Sequence, residues 1–160
     1  MSGIAFQDQM GPNKCFGCGP DNAEGLKIKS FWEGPDEAVC RHRAKPHHLA
    51  GPEGILNGGV IGVLIDCHSI CTAIAHAYRS EARAINSDPR LWYVTGKMSI
   101  NYLKPADVND DVVLRAKVIE AGPKKSLVHC DLLSHDQICA TGEVIAIRVP
   151  LTWLDTHHRA

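Results

Sequence analysis

The stretch that decides the fold reads Gly58-Gly59-Val60-Ile61-Gly62-Val63-Leu64-Ile65-Asp66-Cys67-His68-Ser69-Ile70-Cys71-Thr72-Ala73-Ile74-Ala75-His76-Ala77-Tyr78. From Val60 to Tyr78 it is nearly free of charge, and apolar residues occupy almost every side of a 3.6-residue repeat. Such a helix has no polar face to offer water, so the rest of the chain must surround it. It is also long enough to cross a bilayer. Asp66 near its middle argues otherwise, because a central Asp costs about 2.5–3.5 kcal/mol to insert. A buried helix in a soluble domain, with no membrane as partner, is the expectation.

Working outward, the flanks supply the wrapping. Upstream, the short apolar runs Leu26 to Trp32 and Ala38 to Arg43 are separated by Glu33, Gly34, Pro35 and Asp36, the composition of a hairpin turn. Gly51, Pro52, Gly54, Gly58 and Gly59 then carry irregular chain into the helix. Downstream, Leu91 to Leu103 alternates, with Trp92, Val94, Met98, Ile100 and Tyr102 on one face and Thr95, Lys97, Ser99 and Asn101 on the other. Val112 to Ile119, Ser126 to Leu133 and Ile138 to Val149 are rich in β-branched residues and divided by Gly122-Pro123 and His135-Asp136. Short connections favour antiparallel pairing. The predicted fold is α+β, a curved antiparallel sheet wrapped around one long central helix, in a single domain over residues 1–160. The tail from Leu151 to Ala160 receives no role.

Composition excludes several functions. The 160 residues carry 17 Lys plus Arg against 18 Asp plus Glu, so no net field recommends nucleic acid as partner. The chain opens Met1-Ser2-Gly3 and soon reaches Gln7-Asp8-Gln9, unlike a signal peptide. Seven cysteines scattered through apparent core positions suit reduced thiols and a cytoplasmic location better than a disulfide framework.

Three segments carry a resemblance: CFGCGPDNAEGLKIKSF from Cys15, GILNGGVIGVLID from Gly54, and TGKMSINYLKPA from Thr95. Together they resemble the hotdog-fold acyl-CoA thioesterases of the phenylacetate-pathway and human thioesterase-superfamily-member groups, over most of the chain from Cys15 to about Val149. The family has a Gly-Gly pair opening the central helix and an acidic residue seven positions after the second glycine, matched by Gly58, Gly59 and Asp66. Its Ser or Thr on the following strand is matched by Thr95. Where the family usually has His before the glycines, this chain has Asn57, which can still donate and accept hydrogen bonds.

The resemblance implies a thioester hydrolase acting on a small or medium acyl-CoA, with no cofactor beyond the coenzyme A of the substrate itself. It also implies a homodimer in which the two halves of the site come from different subunits; pairing of dimers into a tetramer stays open. The residue types suit that chemistry. Hydrolysis needs donors for the oxyanion on the carbonyl and a base or nucleophile to attack the carbon. A helix N-terminus offers unpaired N–H groups, and Gly58 and Gly59 let a carbonyl approach them. Asp66 is the base or nucleophile, and Thr95 orients water beside it. Two other classes are weighed: a non-catalytic acyl-CoA binding protein, and a hydratase or dehydratase, for which the entry loop lacks an Asp and His pair.

Cys15-x-x-Cys18 with Cys40, His42, His47 and His48 could in principle build a zinc site. Without a second closely spaced pair no metal is expected. His68 and His76 are expected to fill the core or line the site, and Arg41, Arg43, Lys97, Lys104, Lys124 and Lys125 are read as solvated charges on strand faces.

Overall fold

The computed structural model describes residues 3–157. Its elements run α1 (Phe6–Gln9), β1 (Ser30–Trp32), β2 (Ala38–Arg43), α2 (Gly58–Ser80), β3 (Tyr93–Tyr102), β4 (Asp111–Ala121), β5 (Lys125–Ser134), β6 (Gln137–Arg148) and α3 (Leu151–His157). The strands form one six-stranded sheet in the order β1-β2-β4-β5-β6-β3, every neighbouring pair antiparallel. Helix α2 packs across it, touching five of the strands. This is the hotdog architecture expected from the apolar helix.

Helix α2 begins two residues before its apolar run. Asn57 is its N-cap, with Oδ1 accepting from the N–H groups of Gly59 at 2.8 Å and Val60 at 3.2 Å. The cap satisfies donors that the first helical turn otherwise leaves unpaired. Leu64, Ile65, Ile74 and Tyr78 are almost fully buried against the sheet. The helix is long and apolar enough to cross a membrane, yet most of its apolar stretch is buried inside the protein. Close approach to β6 depends on Gly142, where a Cβ would stand 2.5 Å from Cγ2 of Ile65.

Three expectations about the elements are corrected. The run Leu26 to Trp32 is strand only from Ser30, because Lys27 has a positive φ of 57° and the N–H groups of Leu26 and Ile28 donate to the carbonyls of Phe16 and Gly17. Backbone partners in the N-terminal loop thus replace a longer pairing with β2. The single alternation read through Leu91 to Leu103 is broken by a bulge between Thr95 and Lys97. A bulge adds one residue and reverses which face the preceding residues present. The tail is also not idle: Leu151–His157 is helical and Leu154 is buried; residues 158–160 of that tail lie outside the described residues. The β5–β6 hairpin does follow its turn chemistry, with His135 and Asp136 both at positive φ as a two-residue primed turn requires.

Candidate active site

The bulge decides the site. On its C-terminal side, Ile100 lies next to Gly62, and Tyr102 covers Gly58, its hydroxyl donating to the Gly58 carbonyl at 2.8 Å. The bulge puts Thr95 on that same helix-facing side, against the sequence-based assignment that set it opposite Ile100 and Tyr102. Its hydroxyl donates to Oδ1 of Asp66 on α2. Burial pushes the Asp66 carboxyl above its ordinary range; the Thr95 hydrogen bond pulls it back in part, and negative charge at Cys18 adds to the rise. Proton affinity raised by desolvation is what a general base working near neutral pH needs.

Asp66 and Thr95 line a cavity of about 360 Å³ whose other walls are mostly apolar, with Met10, Ile70, Ile74, Trp92 and Trp153 contributing. The size falls in the usual range for small-molecule sites. Trp153 belongs to α3, so the C-terminal helix helps to wall the cavity. A larger hollow of about 470 Å³ lies between Trp32, Arg79 and Ile85, and its lining holds no carboxylate, thiol or hydroxyl. Of these two cavities, the smaller is the one whose lining holds a carboxylate.

The other expected site residues lie elsewhere. Gly58 and Gly59 are not among the residues that line the cavity with Asp66; they sit at the start of α2, where Tyr102 covers Gly58. Asn57 is committed to capping, and its Oδ1 takes the Gly59 N–H. His68 takes the core place, one of the two expected for it: fully buried, it meets the Ser30 hydroxyl at 2.8 Å through Nδ1 and the Ala38 carbonyl at 3.2 Å through Nε2. Burial pushes its pKa down to about 4.

One grouping escaped the sequence reading. Cys15 and Cys18 are joined by Cys67 and Cys71 from α2, in the wall next to Asp66. Among the described residues, Cys15, Cys18 and Cys67 are the one group of ligand-bearing side chains whose donor atoms all lie within 4.8 Å of one another. The missed signal was the four-residue spacing of Cys67 and Cys71, which puts both on one helical face and makes the second close pair thought to be lacking. Cys40, His42, His47 and His48 take no part. Donation from Cys15, Cys67 and Cys71 holds the Cys18 thiol far below its ordinary value.

The profile of the Thioesterase superfamily matches residues 53–141, more than half of the chain and the whole of the Asn57-to-Thr95 region. The chain belongs to the thioesterase superfamily. Human acyl-coenzyme A thioesterase 13 is 27% identical over 120 residues, covering 75% of this chain and 74% of the relative. A thioesterase superfamily protein from Shewanella loihica is 32% identical, superposes with a TM-score of 0.62, and is matched over 77% of this chain and 91% of its own. The PaaI protein of the E. coli phenylacetic acid degradation operon, at 17% identity and a TM-score of 0.63, covers 78% of this chain and 81% of its own and shares the fold. Within the superfamily this chain is a thioester hydrolase, and the carboxylate over its cavity is the residue to test first.

Proposed function

We propose that the protein hydrolyses a small or medium acyl-CoA to the free acid and CoA, with Asp66 as general base or nucleophile. The observation that carries this reading is the Asp66 carboxylate, oriented by Thr95 at the wall of an apolar cavity of about 360 Å³. Acting as base, Asp66 takes a proton from water as the water oxygen bonds to the thioester carbon. The oxyanion then collapses, the C–S bond breaks, and the CoA thiolate leaves and is protonated. Acting as nucleophile, Asp66 forms a mixed anhydride that water opens in a second step. The carbonyl oxygen needs donors in either case, and Gly58 and Gly59 at the positive end of α2 are the groups assigned to it. Since they lie away from the cavity of their own chain, they serve the Asp66 of a second copy.

The homodimer that this requires is supported by strand β3. It ends the sheet with its outer edge unpaired among the described residues, and Met98, Tyr102 and Leu103 are exposed along it. Pairing two such edges would continue the sheet and cover those side chains. The reading places the protein in the cytoplasm, in keeping with seven free cysteines. The direct test is release of free thiol from a panel of acyl-CoAs, since binding alone or hydration of the acyl chain releases none. Turnover with sedimentation at twice the chain mass is expected; no thiol release from any acyl-CoA would overturn the assignment.

A further inference from the structure

The four-cysteine grouping next to the cavity has the construction of a metal site. Cys15 and Cys18 sit on a tight knuckle, Cys15-Phe16-Gly17-Cys18-Gly19. In it the Gly19 N–H donates to the Cys15 carbonyl at 2.9 Å, and the Asn13 side chain accepts from the Cys15 N–H at 2.8 Å. The knuckle is pressed onto α2 so closely that a Cβ on Gly17 would stand 2.3 Å from the Cys67 sulfur and 2.9 Å from Val63. A Cβ on Gly19 would stand 2.4 Å from the Cys15 nitrogen. Both glycines therefore owe their identity to close approach, one of them to a sulfur of the cluster.

Three of the sulfurs, those of Cys15, Cys18 and Cys67, lie within 4.8 Å of one another, and Cys71 joins them from beside Cys18. Cys15 Sγ lies 3.7 Å from Cys67 Sγ, and Cys71 Sγ lies 4.0 Å from Cys18 Sγ. Four thiolates at the usual Zn–S length of about 2.3 Å in a tetrahedron stand about 3.8 Å apart. The pattern of one Cys-x-x-Cys turn facing two cysteines on a neighbouring element is also that of structural zinc sites. Free buried cysteines are ordinarily small hydrophobes distributed through a core. Cys40, Cys130 and Cys139, one on each of three strands, are of that kind; the other four converge.

We propose that Cys15, Cys18, Cys67 and Cys71 bind one soft divalent metal ion, zinc by its all-thiolate tetrahedral donor set, which pins the N-terminal knuckle to α2. Binding exchanges each S–H bond for an S–metal bond, with the protons passing to solvent. No oxidant is involved. Four protein ligands close the shell, so the ion is structural, and its effect on catalysis runs through the cavity wall. Cys67 directly follows Asp66, and Cys15, Cys18 and Cys71 share the cavity lining with it, so the ion would hold that wall in place.

The test needs no substrate, so its outcome is independent of the assignment of acyl-CoA hydrolysis. The full chain is purified without chelator from zinc-supplemented cells, and metal per chain is measured by mass spectrometry. Zinc is then exchanged for cobalt, whose thiolate charge-transfer absorption and visible bands report sulfur ligation and tetrahedral geometry. One zinc per chain and a tetrahedral thiolate cobalt spectrum are expected. Both should be lost in Cys18→Ser and Cys67→Ser and kept in Cys139→Ser. Folded, unaltered protein that holds no zinc and gives no thiolate cobalt spectrum would overturn the proposal. So would a disulfide among the four cysteines, or iron with inorganic sulfide in place of zinc. Because the unaltered protein alone can give those results, the proposal stays testable even if a variant does not fold.

Discussion

The hydroxyl of Thr95 on β3 donates to Oδ1 of Asp66 on α2, so a hydrogen bond between sheet and helix holds the carboxylate at the cavity wall. The pairing predicts a graded loss. Asp66→Asn removes the proton acceptor and leaves the shape, and the thiol-release rate should fall by about a hundredfold or more. Thr95→Val leaves the carboxylate but frees its rotation, and the loss should be smaller, on the order of tenfold. Thr95→Ser should recover most of it. Equal losses from both substitutions would show that Thr95 does more than orient Asp66.

Asn57 has two tasks that a substitution can separate. As N-cap it pairs the N–H groups of Gly59 and Val60, and Asn57→Ala should cost about 1 kcal/mol in urea unfolding. The same change frees the Gly59 N–H, which a substrate carbonyl must otherwise win from Oδ1. A less stable protein with unchanged or faster turnover per folded chain is the expected outcome; turnover that falls further than stability would assign Asn57 a direct contact with substrate.

Gly142 is where the sheet admits the helix. Gly142→Ala puts a methyl group 2.5 Å from Cγ2 of Ile65, and overpacking of this kind costs about 1–3 kcal/mol. Ile65→Ala alone should also destabilise, by opening a cavity. In the double variant the two changes should partly cancel, and a double-mutant cycle in urea measures the coupling.

His42 on β2 is buried, with no partner for Nε2 among the described residues. Burial, then the charge of His48, push its pKa down to about 4, with Asp111 opposing and Lys45 adding slightly. The unfolded chain takes up this proton near pH 6.5, and the folded one resists until about 4, so the unfolded state binds more protons in between. Its contribution to stability is thus present above about pH 6.5 and falls as the pH drops toward 4, by an amount on the order of 2–3 kcal/mol. Urea midpoints at pH 7 and pH 5 should differ, and His42→Leu should reduce the difference.

Some of this was legible in one dimension. An uncharged run too long to leave exposed, interrupted by one carboxylate, required both an enclosing sheet and a reason for Asp66. The period-two runs after it required strands, and helical spacing placed Gly58 and Gly59 about two turns from Asp66. These are local properties: side-chain periodicity and the cost of burying charge act through near neighbours, so the order of residues suffices to determine them.

Only the tertiary structure decided which distant residues meet. The bulge at Gly96 turned Thr95 toward Asp66, a reversal of parity set by how β3 pairs with β6, strands separated in the chain by β4 and β5. The thiols of Cys15 and Cys18 reached Cys67 and Cys71, more than fifty positions away, because small glycines let the knuckle lie against α2. Such meetings depend on register and on the volume left between packed elements, and those quantities exist only once sheet and helix are together.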